Sequence, residues 1–437
     1  MTTVIGSVTE AAELRCTALN CRMMRIFLVN DRWGADGGSE VVLSSLITAL
    51  RDRGHTLRLC VSSIADDAPR LPADVEIAHV PWRGIREASD PRNGDLVHQA
   101  AAAFLPDVVY AHNVFDHSVV SRLQSWPFVW HNHDHRVHCL NGNRRYRRSG
   151  TICSSPLGSA CLVHAVTEHC GDGPNRRTLE LLRLRKKLLK TLQKSEGIVV
   201  FGEYLKSILQ ANGFAPDRIL VVPPLIRFWH VGEAPAYPSA HEGSRTVVFV
   251  GRLIRDKGVD DVLWLGRKMI QSGLNARVVV AGKGPRRSLV IDAAAHPDSG
   301  IEYRGECSAA DLSLLFAEAS VIVVPSRWPE PFGLAGPEAL LHGRPVVAYR
   351  VGGIADWLVD GVNGLAVQCG DRAALFAAVR TLLETPARAA AMGARGATLA
   401  HERYAPAASL EALEHFLATS ISRFEVDFAR APLRRVR

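Results

Sequence analysis

The stretch PEPFGLAGPEALLHGRPVVAYRVGG, residues 329–353, joins a glycine-containing turn to a short helical pattern and then to an apolar run typical of a buried strand. Two carboxylates, Glu330 and Glu338, bracket the turn. Pro337 suits the first helical position, because proline has no N–H to satisfy there. Backbone N–H groups at such a helix start can bind anionic oxygens, and carboxylates accept hydrogen bonds from hydroxyls. The helix dipole alone would explain an acid at Glu338 but not at Glu330.

Apolar runs like VVAY recur in two series, with helical patterns such as SEVVLSSLITALRDRG between them. The first series is RIFLVN (25–30), TLRLCVS (56–62), DVVYAHN (107–113), PFVWH (127–131), GIVVFG (197–202) and ILVVPP (219–224). The second is TVVFVGR (246–252), ARVVVAG (276–282), VIVVPS (321–326), RPVVAY (344–349) and GLAV (364–367). Apolar strands separated by helices indicate a parallel sheet covered on both faces. Two series therefore predict an α/β protein with two doubly wound domains.

The length of 437 residues fits two domains of ordinary size. Proline, glycine and alanine in GEAPAYPSAHEGS break the strand–helix pattern and predict a linker. We predict an N-terminal extension at 1–22, a first domain at 23–225 with an insert rich in His, Cys and Arg at about 135–175, a linker at 226–243, a second domain at 244–405, a final helix at 406–425 and a basic tail at 426–437.

The composition, 47% apolar and 22% charged, is that of a globular protein. No apolar run reaches the roughly 18 residues of a membrane helix. Residues 1–22 lack the sustained apolar segment of a signal peptide, and nine cysteines without such a signal indicate a reducing compartment. We therefore expect a cytoplasmic protein.

The net charge of +8 is concentrated in one part of the chain. Residues 136–194 hold 13 lysines and arginines against 3 acidic residues. Such a patch predicts an anionic partner, for example a lipid-linked phosphate or the inner face of a membrane. A solvated helix face at RLRKKLLKTLQK, residues 183–194, is the other interpretation.

Ligands bind beyond the carboxyl ends of strands in open parallel sheets, so the strand exits are informative. After the first strand, Gly37 and Gly38 allow close backbone approach, and Ser39 can cap the next helix. In VGRLIRDKG, residues 250–258, Arg252 and Lys257 suit a diphosphate, although two ordinary surface cations would give the same pattern. Gly282 and Gly284 form a second glycine-rich exit in AGKGP, residues 281–285.

The order and spacing of these motifs resemble the retaining glycosyltransferases of family 4. GRLIRDKG, GKGP, PEPFGLAGPEAL and YRVGGIADWLVDGVNGLAV match its signature series, and Glu330 and Glu338 match its E-x7-E motif. MRIFLVNDRWGADGGSE, PFVWHNHD and EYLKSILQANGFAPDRILVVPP resemble its first domain. The resemblance implies the GT-B architecture, in which two Rossmann-like domains face each other across a cleft and the final helix crosses back to the first domain.

The resemblance also implies a hexosyltransferase-type enzyme that takes a nucleoside-diphosphate sugar and a saccharide or lipid-linked acceptor, as in cell-envelope polysaccharide or glycolipid synthesis. It assigns a role to each matching residue. Arg252 and Lys257 would hold the diphosphate, with Gly282 and Gly284 nearby, and Glu338 would bind the ribose. Glu330 and the backbone of Phe332, Gly333 and Leu334 would hold the sugar, which His133 would contact near the reacting carbon. Gly37 and Gly38 would lie against the phosphates or the acceptor. No cofactor would be required, because fixed cations can stabilise the leaving group.

The chain departs from the family pattern at three places. PPLIRFW, residues 223–229, stands where Asn-Gly-Val-Asp is common. Gly202 stands where serine is usual, and Asp356 where glutamate is common.

The insert contains four cysteines, Cys139, Cys153, Cys161 and Cys170, within a histidine-rich segment. Four thiols can bind a structural zinc ion, which would order a segment with little core of its own. The intervening lengths do not match common zinc motifs, so buried free thiols or a disulfide remain alternatives.

Three other functions are compatible with parts of the sequence. A metal-dependent hydrolase could use the His/Cys insert, but it leaves Arg252, Lys257 and the glutamate pair unexplained. A GT-B sugar-nucleotide epimerase or phosphorylase would keep the fold and change the reaction. A nucleic-acid-binding protein would need aromatic residues among the arginines beyond Tyr146, so we do not expect nucleic acid as a partner.

Overall fold

The computed structural model describes residues 23–34, 37–82, 90–226, 228, 237–238 and 245–430. The predicted extension at 1–22, nearly all of the predicted linker and residues 431–437 of the predicted tail lie outside this part of the chain. Two parallel sheets form the framework, and each belongs to one of two Rossmann-like domains that face each other across a cleft. This is the predicted GT-B architecture.

The first domain has seven strands in the order β3-β2-β1-β4-β5-β6-β7 and the second has six in the order β10-β9-β8-β11-β12-β13. The strands are β1 (Arg25–Trp33), β2 (Thr56–Ile64), β3 (Glu76–His79), β4 (Val108–His112), β5 (Phe128–His131), β6 (Gly197–Val200), β7 (Ile219–Val221), β8 (Arg245–Val250), β9 (Ala276–Ala281), β10 (Ile301–Gly305), β11 (Val321–Val324), β12 (Val346–Tyr349) and β13 (Gly364–Val367). In both sheets the direction of strand addition reverses beside the first strand, which creates a switch point there.

Helices connect the strands and cover the sheets. They are α1 (Gly38–Asp52), α2 (Pro91–Phe104), α3 (His117–Leu123), α4 (Ala160–Thr167), α5 (Arg176–Leu192), α6 (Glu203–Ala211), α7 (Val259–Gln271), α8 (Arg287–Ala294), α9 (Ala309–Glu318), α10 (Ala335–Leu341), α11 (Arg372–Glu384), α12 (Pro386–Arg403) and α13 (Pro406–Arg430). Short 3-10 helices include Arg255–Lys257 and Gly352–Asp356. In the described residues, no helix has both the length and the apolar content needed to span a membrane.

Every apolar run of the two predicted series forms a strand. The sequence did not predict β3 and β10, each of which lies at one edge of its sheet; β7 and β13, at the opposite edges, are more apolar and were predicted. Edge strands contact one neighbour and stay partly solvated, so EIAH and IEYRG carry polar residues that hide the strand pattern. The other strands, including the edge strands β7 and β13, were predicted because they are apolar throughout.

Alternation along β1 shows why both faces are apolar. Ile26 and Leu28 belong to one core cluster, and Phe27 and Val29 belong to the other. The first cluster includes α1 and the inner face of α13, whose Leu413 and Leu417 are buried. The last helix of the chain therefore packs on the first sheet, and it extends to Arg430, five residues beyond the predicted end.

The start of α1 differs from the prediction. Gly37 occupies the cap position without a side-chain hydrogen bond, and the hydroxyl of Ser39 donates to Glu40 at 2.7 Å instead. The N-terminus of α1 is therefore uncapped by Ser39, contrary to expectation.

A buried carboxylate fastens α13 to the first domain. Glu414 accepts hydrogen bonds from Arg53 Nε and Nη2 at 2.7 and 2.6 Å, and it shares one with His55 Nε2 at 2.9 Å. Burial raises the pKa of Glu414, but the hydrogen bonds and charges of Arg53 and His55 outweigh this and hold it below its usual value. The carboxylate is thus ionised and fully partnered.

Replacing Glu414 with Gln should lower the free energy of unfolding by about 2 kcal/mol, since a charged hydrogen-bond acceptor is lost at a buried site. Glu411→Gln, on the exposed face of the same helix, is the matched control and should change it by less than about 0.5 kcal/mol. Thermal and denaturant unfolding of both variants measures the difference; equal effects would show that Glu414 does not anchor α13.

Candidate functional site

The predicted site residues gather at the switch points of the two sheets. Gly37 and Gly38 follow β1 and His133 follows β5; His112, which the sequence did not single out, ends β4 between these strands. Arg252 and Lys257 follow β8, and Glu330 follows β11, the strand paired with β8. The sheet order therefore brings together strand exits that are far apart in sequence.

Lys257 and Glu330 form a direct ion pair. Lys257 Nζ lies 2.6 Å from Glu330 Oε1, and the hydroxyl of Ser326 also donates to that oxygen. Glu330 is 2% exposed. Burial raises its pKa, but the charge and hydrogen bond of Lys257 outweigh burial and hold the pKa below its usual value. An ionised carboxylate is thus fixed at the edge of the second sheet; the sequence did not single out Ser326.

The loop around Glu330, residues 325–334, is held from three sides. Arg327 Nε and Nη2 donate to the buried carboxylate of Asp261, both at 2.6 Å. The N–H of Gly353 donates to the carbonyl of Glu330 at 2.7 Å, and Trp357 Nε1 donates to the carbonyl of Phe332 at 2.7 Å. Its shape is therefore set before any ligand binds.

The helix after this loop starts earlier than predicted. α10 begins at Ala335 with Leu334 as its cap, so Pro337 is the third helical residue and not the first. Proline is tolerated there because the first four N–H groups have no partner within the helix. Gly333 has a φ of 89°, which favours glycine, and it precedes the open helix start. Glu338 is buried in the first turn of α10.

The exits of β8 and β9 pack closely. A side chain at Gly282 would put its Cβ 2.0 Å from the carbonyl oxygen of Gly251, and one at Gly284 would meet the backbone of Leu253. These glycines therefore have a packing reason that is independent of any ligand. Arg252, between Gly251 and Leu253 in the chain, is exposed. Its side chain forms no ion pair with the described residues.

His133 belongs to a buried group of aromatic residues that the sequence only partly predicted. His133 Nε2 and His112 Nδ1 share a hydrogen bond of 2.8 Å, and Tyr110 and His131 Nδ1 share one of 2.7 Å. Burial, then the neighbouring histidines, keeps the pKa of His133 well below its ordinary value, and burial lowers that of His112 to about 3. The imidazoles are therefore neutral at physiological pH. The sequence could have indicated His112 as a site residue, because it lies at the end of an apolar strand.

One ring nitrogen of each of the three histidines lacks a hydrogen-bond partner: His112 Nε2, His131 Nε2 and His133 Nδ1. Among the described residues, these histidines form the group whose potential metal-binding atoms all lie within 4.8 Å. The rings of His131 and His133 are stacked, however, with centroids 4.2 Å apart and planes at 29°. A metal ion must lie in the plane of each imidazole, so stacked rings do not suit one ion. Unpaired buried nitrogens suit a polar ligand.

Contacts across the cleft join the two sets of predicted residues. Phe201 lies 5.1 Å from the ring of His133 and 6.3 Å from the ring of Phe332, centroid to centroid. A Cβ at Gly38 would lie 3.6 Å from Leu334 Cδ1. His133 and Gly38 thus face the loop that carries Glu330. For Gly37, the nearest group is the carboxylate of Glu40 in its own helix.

The insert makes further contacts across the cleft that the sequence did not predict. His135 Nε2 donates to the carbonyl of Pro329 at 2.7 Å, next to Glu330. Arg145 Nη1 donates to Asp256 at 3.1 Å, next to Lys257. Burial is the main reason that the pKa of His135 falls to about 4, so His135 acts as a neutral donor.

Asp31 is a carboxylate in the first domain that sequence reasoning missed. It accepts a hydrogen bond from Trp82 Nε1 at 2.7 Å. Burial is the main cause that raises the pKa of Asp31 to about 7, and the charges of Asp116 and Asp134 add to it. Such a group can gain or lose a proton near neutral pH, a property of acid–base residues.

The four cysteines of the insert line one cavity, together with Tyr146 and His164. All four are free thiols. Burial, then the neighbouring sulfur groups, raises the pKa of Cys170 to about 12, and burial is the main cause that raises the pKa of Cys161. The helix rich in basic residues that follows the insert, α5, buries most of its leucines and exposes Arg183, Lys186, Lys187 and Lys190 to solvent.

Gly202 and Asp356, two departures from the family pattern, are in contact. Gly202 caps α6 but has no side chain to bind the first N–H groups of the helix. Asp356, in the second domain, accepts a hydrogen bond from the N–H of Tyr204 at 3.2 Å and so takes over that function. A Cβ at Gly202 would lie 2.1 Å from Asp356 Oδ2. Each departure is explained by the other.

Gly202→Ser should lower the free energy of unfolding by about 1–2 kcal/mol, because its side chain overlaps with the Asp356 carboxylate. Asp356→Ala should cost about 1 kcal/mol through loss of the cap. The double variant should be more stable than the sum predicts, since serine can then cap α6 itself. Unfolding of the three variants measures the coupling; additive effects would contradict this arrangement.

Two family models match the chain. The model described as Glycosyltransferase Family 4 matches residues 36–227, and the model described as Glycosyl transferases group 1 matches residues 244–385. The first match covers the seven-stranded sheet from α1 onward, and the second covers the six-stranded sheet.

Individual proteins give the same result. The chain is 32% identical over 361 residues to D-inositol 3-phosphate glycosyltransferase 1 of Catenulispora acidiphila, which covers 75% of this chain and 78% of that protein. It is 32% identical over 163 residues to glycogen synthase of Mycobacterium tuberculosis, covering 36% of this chain and only 39% of that protein.

A solved structure, that of HepE from Anabaena in complex with UDP and glucose, matches with a TM-score of 0.62 and 18% identity over 93% of this chain and 100% of that one. At this identity the match supports the fold alone. Together with the family models and the length of the Catenulispora alignment, the site geometry leads to one assignment: the chain is a glycosyltransferase of family 4.

Proposed function

We propose that the protein is a retaining glycosyltransferase that moves a sugar from a nucleoside-diphosphate sugar to a hydroxyl acceptor. The observation that carries the proposal is the buried ion pair between Lys257 Nζ and Glu330 Oε1, 2.6 Å long, at the switch point of the second sheet. Beside it lies the open N-terminus of α10, so a cation, an anion-binding helix start and a fixed carboxylate converge.

In this proposal the leaving diphosphate is stabilised by fixed positive charge. Arg252 is exposed and available for a bidentate contact, and Lys257 provides a second charge. The N–H groups at the start of α10 add hydrogen bonds and the helix dipole. A diphosphate leaves readily once its charge is stabilised, so this chain's own cations suffice and no metal cofactor is required.

Hydroxyl groups would be bound by the two glutamates. Glu330 is ionised and held by Lys257 and Ser326, so it can accept hydrogen bonds from the sugar. Glu338 would bind the ribose, and the backbone from Phe332 to Leu334 would follow the sugar and phosphates. The glycines at 282 and 284 would let the donor approach the backbone closely.

The first domain would supply the acceptor side. His133 is neutral and has an unpaired Nδ1, which suits a hydrogen bond to the sugar near the reacting carbon. Gly37 and Gly38 leave room at the start of α1 for the phosphates or the acceptor. Asp31, whose pKa is raised to about 7, is our candidate for the group that binds the acceptor hydroxyl.

The acceptor class is proposed from charge: a saccharide or lipid-linked precursor of a cell-envelope polysaccharide or glycolipid. A GT-B epimerase or phosphorylase would use the same donor site. A transferase differs from both because it releases nucleoside diphosphate only when an acceptor is present. A metal-dependent hydrolase is not favoured, because the histidine rings do not converge on one ion.

The first experiment is a panel of nucleoside diphosphates and their sugars, beginning with the uridine series, against the purified protein. We expect one series to raise the melting temperature of the wild type. Arg252→Ala and Glu338→Gln should each weaken binding about 10- to 100-fold, because a charged hydrogen bond contributes about 1.5–3 kcal/mol.

The matched control is Arg267→Ala, which removes an exposed arginine from the body of α7 in the same domain and should leave nucleotide binding unchanged. The proposal fails if no nucleotide stabilises the folded wild type, or if Arg267→Ala weakens binding as much as Arg252→Ala.

We also propose that the enzyme is cytoplasmic and binds peripherally to the inner face of the membrane. Leu162, Val163 and Val166 of α4 are exposed, the two valines at 60%. Arg147 and Arg148 lie at the end of α4, where their backbone N–H groups donate to the carbonyl of Glu168. Exposed aliphatic side chains bordered by arginines suit an anionic lipid surface.

The wild type should cosediment with vesicles of phosphatidylglycerol and phosphatidylcholine at low salt, and less so at high salt. The double variant Val163→Asp with Val166→Asp should bind at least about 10-fold more weakly, since two aliphatic groups that would enter the lipid surface are lost. Leu314→Asp is the control, because Leu314 is 64% exposed on α9 of the second domain. Absence of binding by the wild type would exclude the membrane contact.

A further inference from the structure

The insert at 135–175 has little regular structure with which to hold its shape. Its regular structure consists of α4 and one isolated bridge between Arg145 and Ile152. No strand of the described chain lies within it. Arg144 and His169 have φ values of 50° and 54°, a region that residues with side chains rarely adopt. Such a backbone persists only when its surroundings impose it.

Four cysteines lie at the centre of this insert. Cys139, Cys153, Cys161 and Cys170 are separated along the chain, yet they line one cavity of about 20 Å³. The cavity has room for a single ion at its centre. The other described cysteines, Cys60, Cys307 and Cys369, do not line it.

Polar groups around the cavity point at the sulfur atoms. The backbone N–H of Arg144 donates to Cys139 Sγ at 3.3 Å, and Asn141 Nδ2 donates to Cys170 Sγ at 3.5 Å. Arg185 Nη1 of α5 donates to the carbonyl of Cys139 at 2.7 Å and so holds the backbone at this cysteine in place. N–H groups directed at sulfur stabilise the thiolate form, and metal–thiolate sites use such outer contacts.

We propose that Cys139, Cys153, Cys161 and Cys170 bind one Zn²⁺ ion. Each thiol releases its proton to solvent, and the four thiolates surround the ion as a tetrahedron with Zn–S distances of about 2.3 Å. No three of the sulfur atoms lie within 4.8 Å of one another here, since only histidines form such a group in the described residues. A change of rotamer moves a cysteine sulfur by about 3 Å, and the four side chains would turn toward the ion as it binds.

The ion would act on the cleft through the insert. His135 and Arg145 belong to this segment, and they bond to Pro329 and Asp256, the neighbours of Glu330 and Lys257. A metal that fixes the insert therefore fixes two contacts beside the candidate donor site. The zinc proposal itself does not depend on which sugar or nucleotide the enzyme uses.

The test begins with the metal content of the full-length protein, purified under reducing conditions without chelator. Inductively coupled plasma mass spectrometry should find about one zinc per chain and no iron. A thiol-blocking mercurial should release that zinc to a chromogenic chelator. Absence of zinc together with four native thiols that react freely would overturn the proposal, and so would a disulfide among the four or stoichiometric iron.

Variants then assign the ligands. Cys153→Ser should lower the affinity for zinc at least about 10-fold. Cys307 is a partly buried cysteine of the second domain, and Cys307→Ser should retain zinc. Asn141→Ala keeps all four thiols and should weaken zinc affinity about 10-fold. If Cys153→Ser retains full zinc, the site is elsewhere. Because the wild-type measurement needs no variant, a misfolded variant does not leave the proposal undecided.

Discussion

The ion pair between Lys257 and Glu330 is the constraint on which the donor side of the cleft depends. A carboxylate that is 2% exposed must have a partner, because an unpaired buried charge is costly. Lys257 comes from the exit of β8 and Glu330 from the exit of β11, so the pair joins two loops that the sheet places side by side. Asp261 supports it by binding Arg327 in the same loop. The open start of α10 is held in place by these contacts.

The first domain completes the cleft through contacts that cross between the domains. His135 and Arg145 of the insert reach the loops of Glu330 and Lys257, and Asp356 of the second domain caps α6 of the first. Each is a single hydrogen bond or ion pair, which can be broken and remade at a modest cost in free energy. α13 adds a larger apolar contact on the first sheet. The domains are therefore linked by an apolar contact through α13 and by single polar contacts between loops of the two domains.

Neutral histidines characterise the acceptor side. His112, His131 and His133 are buried together, and burial disfavours their charged forms. On the proposed donor side, Arg252 is an exposed cation, and the charge of Lys257 is paired with that of Glu330. In the function proposed above, a negatively charged leaving group would be attracted to the second domain, and the histidines would present neutral hydrogen-bonding groups to the sugar. This division of charge suits a reaction in which negative charge develops on one side of the reacting carbon.

The sequence by itself determined the two-domain α/β fold, the central strands and the glutamate pair, because buried parallel strands are apolar throughout and glycine-rich exits have a recognisable composition. It did not determine β3 and β10, which contain polar residues, or the start of α10, which lies at Ala335 rather than at Pro337. Only the tertiary structure decided that His112 joins His133, that Asp356 compensates for Gly202 and that four distant cysteines share one cavity. These arrangements depend on segments separated by up to about 150 residues, and local propensity carries no information about which distant segments will meet.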